Sequence, residues 1–293
     1  MYHKQRWTPE KIKQRLNLIA PLVHRKRKNL PSFKYLELSS PLTPPPIQTD
    51  VDDSQWKEID VNTYWGSWMQ DFVLRTAFAV PEFMDNTQPI ALFLPLGDAG
   101  DFSHPECLAY IDGVPYATCD RHHQEILLKP EWCDGKEHML ALHGWTGLGG
   151  FANGDAFTKL FMKPCSVVQI NQPARDFYVL ASITLETLTN LDENNPAKHH
   201  LLNALNDAVI ALDTRDPIGE ERFYASISPA MQILKEGIAK AGAPLNAFIH
   251  ANRNHPRRRT RPYWGCRGVN AGSAPPQNRT HSLQRPPPDG AIP

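Results

Sequence analysis

Long apolar runs are missing: no stretch approaches the roughly 18 to 20 apolar residues that cross a bilayer. The N-terminus, Met1 to Asn29, is polar and basic and lacks the apolar segment of a signal peptide. Net charge is missing as well, because 31 basic and 31 acidic side chains cancel. Taken alone, that balance argues against nucleic acid or a membrane surface as partner. Five cysteines (Cys107, Cys119, Cys133, Cys165 and Cys266) include no CxxC pair and leave an odd count. They argue against a disulfide scaffold and for a reducing compartment. These absences predict a soluble, cytoplasmic protein.

What is present begins with a helix. Thr8-Pro9-Glu10 supplies a hydroxyl cap, a proline at the first helical position and an acid in the first turn. Ile12, Leu16 and Ile19 then share one face, and Pro21 ends the run. The basic run Arg25-Lys26-Arg27-Lys28 reads as a solvated segment, with a nuclear signal or an anion site as the alternative. Pro41 to Asp53, with Pro44-Pro45-Pro46, reads as a polyproline-like linker.

Beyond the linker the period becomes two. Phe72, Leu74, Thr76, Phe78 and Val80 alternate. Ile90 to Leu96 is a second apolar run, and Leu108 to Ile111 leads into Asp112-Gly113, a two-residue hairpin signal, with Val114 to Tyr116 returning. Glu125 to Leu128, His138 to His143 and Ser166 to Ile170 complete a set of short strands, which predicts a sandwich or jelly roll. After Pro173 the period lengthens. Leu180, Ile183, Leu185, Leu188 and Leu191 suit one helix, and Leu201, Leu202, Leu205, Val209 and Leu212 a second. Ser228-Pro229 is expected to cap a third, carrying Ile233, Leu234 and Ile238 and stopping at Gly242. Leu245 to His250 reads as one more short strand. From Asn252 the chain carries eight arginines against the single acid Asp289, a net charge of +7, with eight prolines and no hydrophobic period. That composition predicts disorder.

Chemistry is sparse. Gly144-Trp145-Thr146-Gly147-Leu148-Gly149-Gly150 follows a strand but has neither GxGxxG spacing nor a P-loop lysine, so it reads as a mobile loop. The adjacent pairs His122-His123 and His199-His200 lack cysteines at zinc-finger spacing and read as structural or solvent-exposed. Asn278-Arg279-Thr280 has the form of a glycosylation acceptor, expected to be idle without a secretory signal. The Asp120-Arg121-His122-His123-Gln124-Glu125 run gathers carboxylates, imidazoles and a guanidinium in one loop. With Trp145 nearby, such a cluster offers hydrogen-bonding groups to hydroxyls and a flat apolar face to a sugar ring. A network that braces a turn of the sandwich is the favoured reading of this cluster, and contact with a sugar is the second. The candidate sugar-contacting residues are therefore Asp120, His122, His123, Glu125 and Trp145.

Several stretches together resemble the N-terminal region of glycoside hydrolase family 38, the cytosolic and vacuolar α-mannosidases. They are Arg15 to Ile19, Ser54-Gln55-Trp56 with Tyr64-Trp65-Gly66, Phe72 to Arg75, Leu96 to Gly100, Ala109 to Pro115, Asp120 to Glu125 and His143 to Gly147. Leu202 to Leu205 and Phe223 to Ser226 resemble that family's helical connector. The resemblance covers roughly residues 8 to 250 and implies a protein that removes terminal α-mannose from oligosaccharides. It implies a retaining, zinc-dependent mechanism housed in a catalytic domain that opens with an H-x-H-x-D element. At that place stands Asn252-Arg253-Asn254-His255-Pro256-Arg257-Arg258-Arg259. Read one base later, the genetic code permits T-G-T-I-H-V-D-V for these eight residues, which restores a His-x-Asp. The expectation is that the chain from about residue 252 is out of frame.

The sequence thus predicts an α+β architecture. An N-terminal helix and Pro-rich linker occupy 1–50 and a jelly-roll-like β-sandwich 51–172. A helical connector occupies 173–251 and a disordered basic tail 252–293. The resemblance implies vacuolar residence as an alternative to the cytoplasm. No catalytic residue, metal ligand or cofactor is expected in this chain, zinc belonging to full-length relatives, and mannose-containing oligosaccharides are the expected partners. The helices from 176 to 242, without the catalytic domain, are expected to expose apolar faces.

Overall fold

A computed structural model describes residues 8–67, 69–97, 105–147 and 160–242. The chain divides after Asn246, and its second unit, Ala247–Pro293, lies outside the described residues. So do the strand expected at Leu245 to His250 and the basic tail.

The architecture is α+β, with two antiparallel sheets packed face to face and a group of four helices. The first helix, α1 (Thr8–Ile19), is followed by β1 (His24–Asn29), β2 (Phe33–Glu37), β3 (Lys57–Ile59), β4 (Tyr64–Trp65) and β5 (Asp71–Phe78). Next come β6 (Ile90–Phe93), β7 (Glu106–Ile111), β8 (Val114–Cys119), β9 (Glu125–Leu127), β10 (His138–Trp145), β11 (Leu160–Phe161) and β12 (Ser166–Ile170). Helices α2 (Gln172–Asn190), α3 (Pro196–Ala211) and α4 (Glu221–Ala241) close the described chain. The small sheet runs β1-β12-β6-β9, the large one β3-β2-β5-β10-β7-β8, and β4 pairs with β11.

Side chains alternate across the large sheet as the period of two requires. Phe72, Leu74 and Phe78 of β5 and Leu140 and Leu142 of β10 point inward. There they meet Leu92, Ile126 and Val167 of the small sheet, all at most 3% exposed. The Asp112-Gly113 turn joins β7 to β8 with both residues at positive φ, 51° and 77°, the conformation such a hairpin needs.

Strands β1 and β2 lie in the segment read as a helix followed by a linker, so the sandwich draws strands from well before residue 51. The reason is legible afterwards. β1 is an edge strand that pairs only with β12 and shows mostly charged side chains to solvent, so it has no apolar alternation to betray it. Three members of its basic run are engaged. Arg25 pairs with Glu221 and lies over the Tyr224 ring, Lys26 donates to the Phe83 carbonyl, and Arg27 bonds His24.

The Pro-rich segment is fastened rather than loose. Arg75, on the outer face of β5, is 1% exposed. Its Nε donates to Asp53 at 2.9 Å and its Nη1 to the carbonyls of Gln48 and Pro46 at 2.7 and 3.3 Å. Its guanidinium also lies over the Trp56 ring. Three donors of a planar fork thus tie residues 46–56 to the sheet, and Val73 and Ala141 of that same face are buried as well.

The helices bury one apolar face each, while Val179 and Ile210 stay exposed, at 46% and 61%, and Leu180, Ile183 and Leu185 of the expected α2 face are half-buried. Ile12, Leu16 and Ile19 of α1 are buried, as are Phe177 and Leu188 of α2, Leu201 and Leu205 of α3, and Phe223, Ile227 and Leu234 of α4. Helix α1 contacts both α2 and α3 and adds Ile12, Leu16 and Ile19 to the buried residues of the helical group. Helix α4 begins at Glu221, not at Ser228, and carries Pro229 inside it. The proline removes one amide, the bond to the Ala225 carbonyl. Burial of Phe223 and Ile227 on the preceding two turns keeps the helix continuous through it. The stop at Gly242 holds, at φ 105°.

Candidate functional site

The Asp120–Glu125 run connects β8, the edge of the large sheet, with β9, the edge of the small one. It is a compact turn. Asp120 Oδ1 accepts the backbone amides of His122 and His123 at 2.6 and 2.8 Å, and the His123 ring Nδ1 lies 3.0 Å from Oδ2. Burial works to raise the Asp120 pKa, but these hydrogen bonds outweigh it and leave the carboxyl below its ordinary value. Arg121 donates from Nε to His122 Nε2 at 3.0 Å, and the side chains of Arg121, His122 and His123 face solvent. The crevice behind the turn, lined by Leu94, Leu96, Cys119, Asp120, Arg121 and Gln124 among others, leaves no volume for a water molecule.

Glu125 is brought to a different place. It points to the outer face of the small sheet, opposite to the inward Ile126. There Oε1 meets His24 Nε2 at 2.6 Å, and Oε2 pairs with Arg175 in the first turn of α2. His24 and Glu125 belong to the two opposite edge strands of that sheet, so their side chains meet beneath α2 across its whole width. Burial pushes the Glu125 pKa up, and the hydrogen bond from His24 and the charge of Arg175 more than reverse it, leaving the carboxylate below its usual range. Both oxygens are therefore committed to protein partners.

Trp145 is the last residue of β10. It stands opposite Asp71 of β5 on one side and Glu106 of β7 on the other. Cys107 is opposite Cys119, so Asp120 follows one residue beyond that pair. Asp71, Trp145, Glu106 and Asp120 thus form one row at the end of the large sheet. Two strand spacings put Trp145 about 10 Å from Asp120. The row lies on the outer face, since Phe72, Cys107 and Cys119 in the next row point into the core. Trp145 is half-buried.

The glycine-rich run is not a loop at its start. Gly144 and Trp145 are strand residues, and a side chain at Gly144 would collide with the Glu106 carbonyl and come within 2.7 Å of Cys107 Sγ. Thr146 is buried, donates to the Ser67 carbonyl at 2.6 Å and accepts the Gln70 amide at 2.9 Å. Leu148 to Gly150 lie outside the described residues. His199 and His200 are exposed on α3.

Sequence reasoning missed His24 and Arg175, which lie 101 and 50 residues from Glu125, with no local signal to connect them. It also missed His138, whose Nδ1 lies 2.7 Å from Asp112 and whose Nε2 lies 3.1 Å from Asp134. Burial lowers its pKa, but the two carboxylates outweigh that and raise it overall. The hairpin signal at Asp112 was visible, while its bond to the imidazole was not. Among the described residues no group of three or more His, Cys, Asp or Glu side chains is arranged to hold a metal ion. No described helix is long and apolar enough to cross a membrane.

No protein-family model matches the chain, and no curated protein matches it. Among solved structures, 23 chains match in part. One is a calcium-binding mutant of a Bacteroides uniformis β-glucuronidase, 14% identical, at a TM-score of 0.35 over 49% of this chain and 18% of that one. A β-glycosidase from Bacteroides vulgatus is 12% identical, with a TM-score of 0.34 over 50% of this chain and 20% of that one. A β-glucuronidase from glycoside hydrolase family 2 is 15% identical, at 0.28 over 40% and 14%. The chain spans at most a fifth of the length of each of these three glycosidases. Overlap at such TM-scores carries no argument about activity.

Proposed function

We propose that this chain is the non-catalytic N-terminal part of an α-mannosidase, a scaffold whose sandwich and helices position a catalytic domain. The observation that carries this reading is the ordered set of motifs from Arg15 to Ser226. It falls on a helix, a sandwich and a helical unit in the order the resemblance implies. The Glu125 clamp, which bonds the small sheet to the start of α2, suits a scaffolding role. In the family that the chain resembles, zinc would grip sugar hydroxyls while one carboxylate would attack and another would protonate the leaving group. The donor groups among the described residues do not fit such a site, so no step is assigned to zinc here. The purified chain is expected to release nothing from an aryl α-mannoside, with or without added zinc. Zinc-dependent mannose release would overturn the proposal.

A second reading, a carbohydrate-binding module, is favoured by the outer-face row in which Trp145 stands between Asp71 and Glu106 with Asp120 beyond. A half-buried indole flanked by carboxylates offers a stacking face and hydroxyl acceptors. The turn residues His122 and His123 would add donors, while Glu125 would act only through the sheet it clamps. Calorimetry with mannose oligosaccharides tests this. Binding that is lost in Trp145→Ala and weakened in His122→Ala supports the module. Equal heats for all three proteins, or none for any, leave the scaffold alone standing.

A further inference from the structure

We propose that Cys107 and Cys119 are a latent disulfide, a modification site that closes the β7–β8 hairpin under oxidising conditions. The two residues are direct partners in the antiparallel ladder, and both point into the core, at 5% and 3% exposure. Directly opposed residues have Cα atoms about 4.5 or 5.5 Å apart, according to whether they fall at a non-hydrogen-bonded or hydrogen-bonded position. Both values lie inside the range of about 4.4 to 6.8 Å that disulfides span. The two side chains stand next to each other in one row on the inner face of the hairpin. Gly144, opposite Cys107 on the other side, gives the sulfur its room, and any Cβ there would crowd it at 2.7 Å.

The same surroundings explain why the pair rests as thiols. The neighbouring Cys119 thiol and burial push the Cys107 thiol up, so little thiolate forms in the closed sheet. β8 is an edge strand with most of its residues exposed or half-buried, and Cys119 is its last residue, next to the Asp120 turn. Fraying of that edge is the route by which an oxidant reaches the pair. With a small-molecule disulfide as oxidant, one thiolate attacks it and releases one small thiol. The partner thiolate then attacks the mixed disulfide and releases the second. Two protons leave the protein, two electrons pass to the small disulfide, and one S–S bond forms.

A neighbouring thiol makes the assignment testable. Cys165, 1% exposed on the approach to β12, belongs to the same buried cluster as Cys119, but it is not a ladder partner. The full-length chain is incubated in graded mixtures of reduced and oxidised glutathione, quenched with acid, alkylated and mapped by mass spectrometry without reduction. The expected product is lighter by two hydrogen atoms and contains one linkage, between the peptides bearing Cys107 and Cys119. That linkage disappears in Cys119→Ser and persists in Cys165→Ser and Cys133→Ser. As a guard against a variant that fails to fold, the wild-type protein is also refolded from urea in the same buffers, where the same linkage is expected. A Cys119–Cys165 bond, or Cys107 and Cys119 both still alkylatable after oxidative refolding, overturns the proposal.

Discussion

Replacing Glu125 by alanine should loosen the joint between the small sheet and helix α2. The glutamate side chain is 27% exposed, His24 8% and Arg175 24%, so the triad sits between the surface and buried regimes. An exposed pair is worth about 0–1 kcal/mol, and breaking a fully buried one costs about 3–5 kcal/mol. Both oxygens here make charge-assisted bonds, and partial exposure lets water reach the groups left behind. We therefore expect a loss of about 2 kcal/mol. In a unit of this size that corresponds to a fall in Tm of roughly 5 °C.

Urea unfolding of wild type, Glu125→Ala, Arg175→Met and the double variant gives the relevant cycle. A coupling of about 1 kcal/mol is expected between the two sites. The sign of the pH dependence is also fixed. The folded Glu125 pKa is lowered, so its contribution is fully present above the unfolded carboxylate value of about 4.3 and lost as pH falls through the folded value. The gap between wild type and Glu125→Gln should therefore be constant near neutrality and close in acid. Additive single effects, or a Glu125→Ala variant within about 0.5 kcal/mol of wild type, would show that the triad is decoration.

Arg75→Met should free the Pro-rich strap at a cost of about 3 kcal/mol, because two carbonyls and Asp53 lose a buried partner. Limited proteolysis between residues 41 and 56 reads it directly, and an unchanged cleavage pattern would count against the strap. Gly144→Ala should cost about 1–3 kcal/mol through collision with the Glu106 carbonyl and Cys107, whereas Gly135→Ala meets nothing within 4 Å and is strained only by its φ of 80°. Thermal melts of the two variants separate crowding from backbone strain. The His138 pKa is raised between Asp112 and Asp134. Its stabilisation is thus fully present below about 6.5 and lost as pH rises through the folded value, and His138→Gln should flatten the stability profile over that window. An NMR titration placing the imidazole pKa below its ordinary value would contradict the arrangement.

The central strands were legible because burial on one face imposes a period of two, as Phe72, Leu74 and Phe78 show. Helix α3 was legible for the corresponding reason at 3.6, whereas α2 was legible only as a helix, since it buries Phe177, Ala181 and Leu188 while Leu180, Ile183 and Leu185 of the expected face are half-buried. Each is preceded by an asparagine whose side chain caps a backbone amide, Asn171 to Ala174 and Asn195 to Ala197. Strand β1 was not, since an edge that keeps Arg25, Arg27 and Lys28 in water has the composition of a solvated segment. The start of α4 was misplaced because Ser228-Pro229 imitates a cap, while what decides the boundary is tertiary burial of Phe223. The candidate site divided along the same line. The Asp120 turn is local and readable, but Glu125 stands next to it in sequence and works elsewhere.

That division follows from how the chain closes on itself. Residues near the N-terminus finish structures begun much later. Ile12 and Leu16 seal the helical core, and β1 pairs with β12. The Leu22 carbonyl accepts the hydroxyl of Tyr224 at 3.1 Å, and Arg25 reaches Glu221. Each contact joins segments more than 130 residues apart, so their ordering entropy is recovered only when sheet and helices form together. A sandwich cut out at residues 51 and 172 would lose two of its strands and His24 of the Glu125 triad with the first cut, and Arg175 with the second. The physical unit is therefore the whole stretch from α1 to α4. Its sheets and helices are bonded into one body rather than strung on linkers.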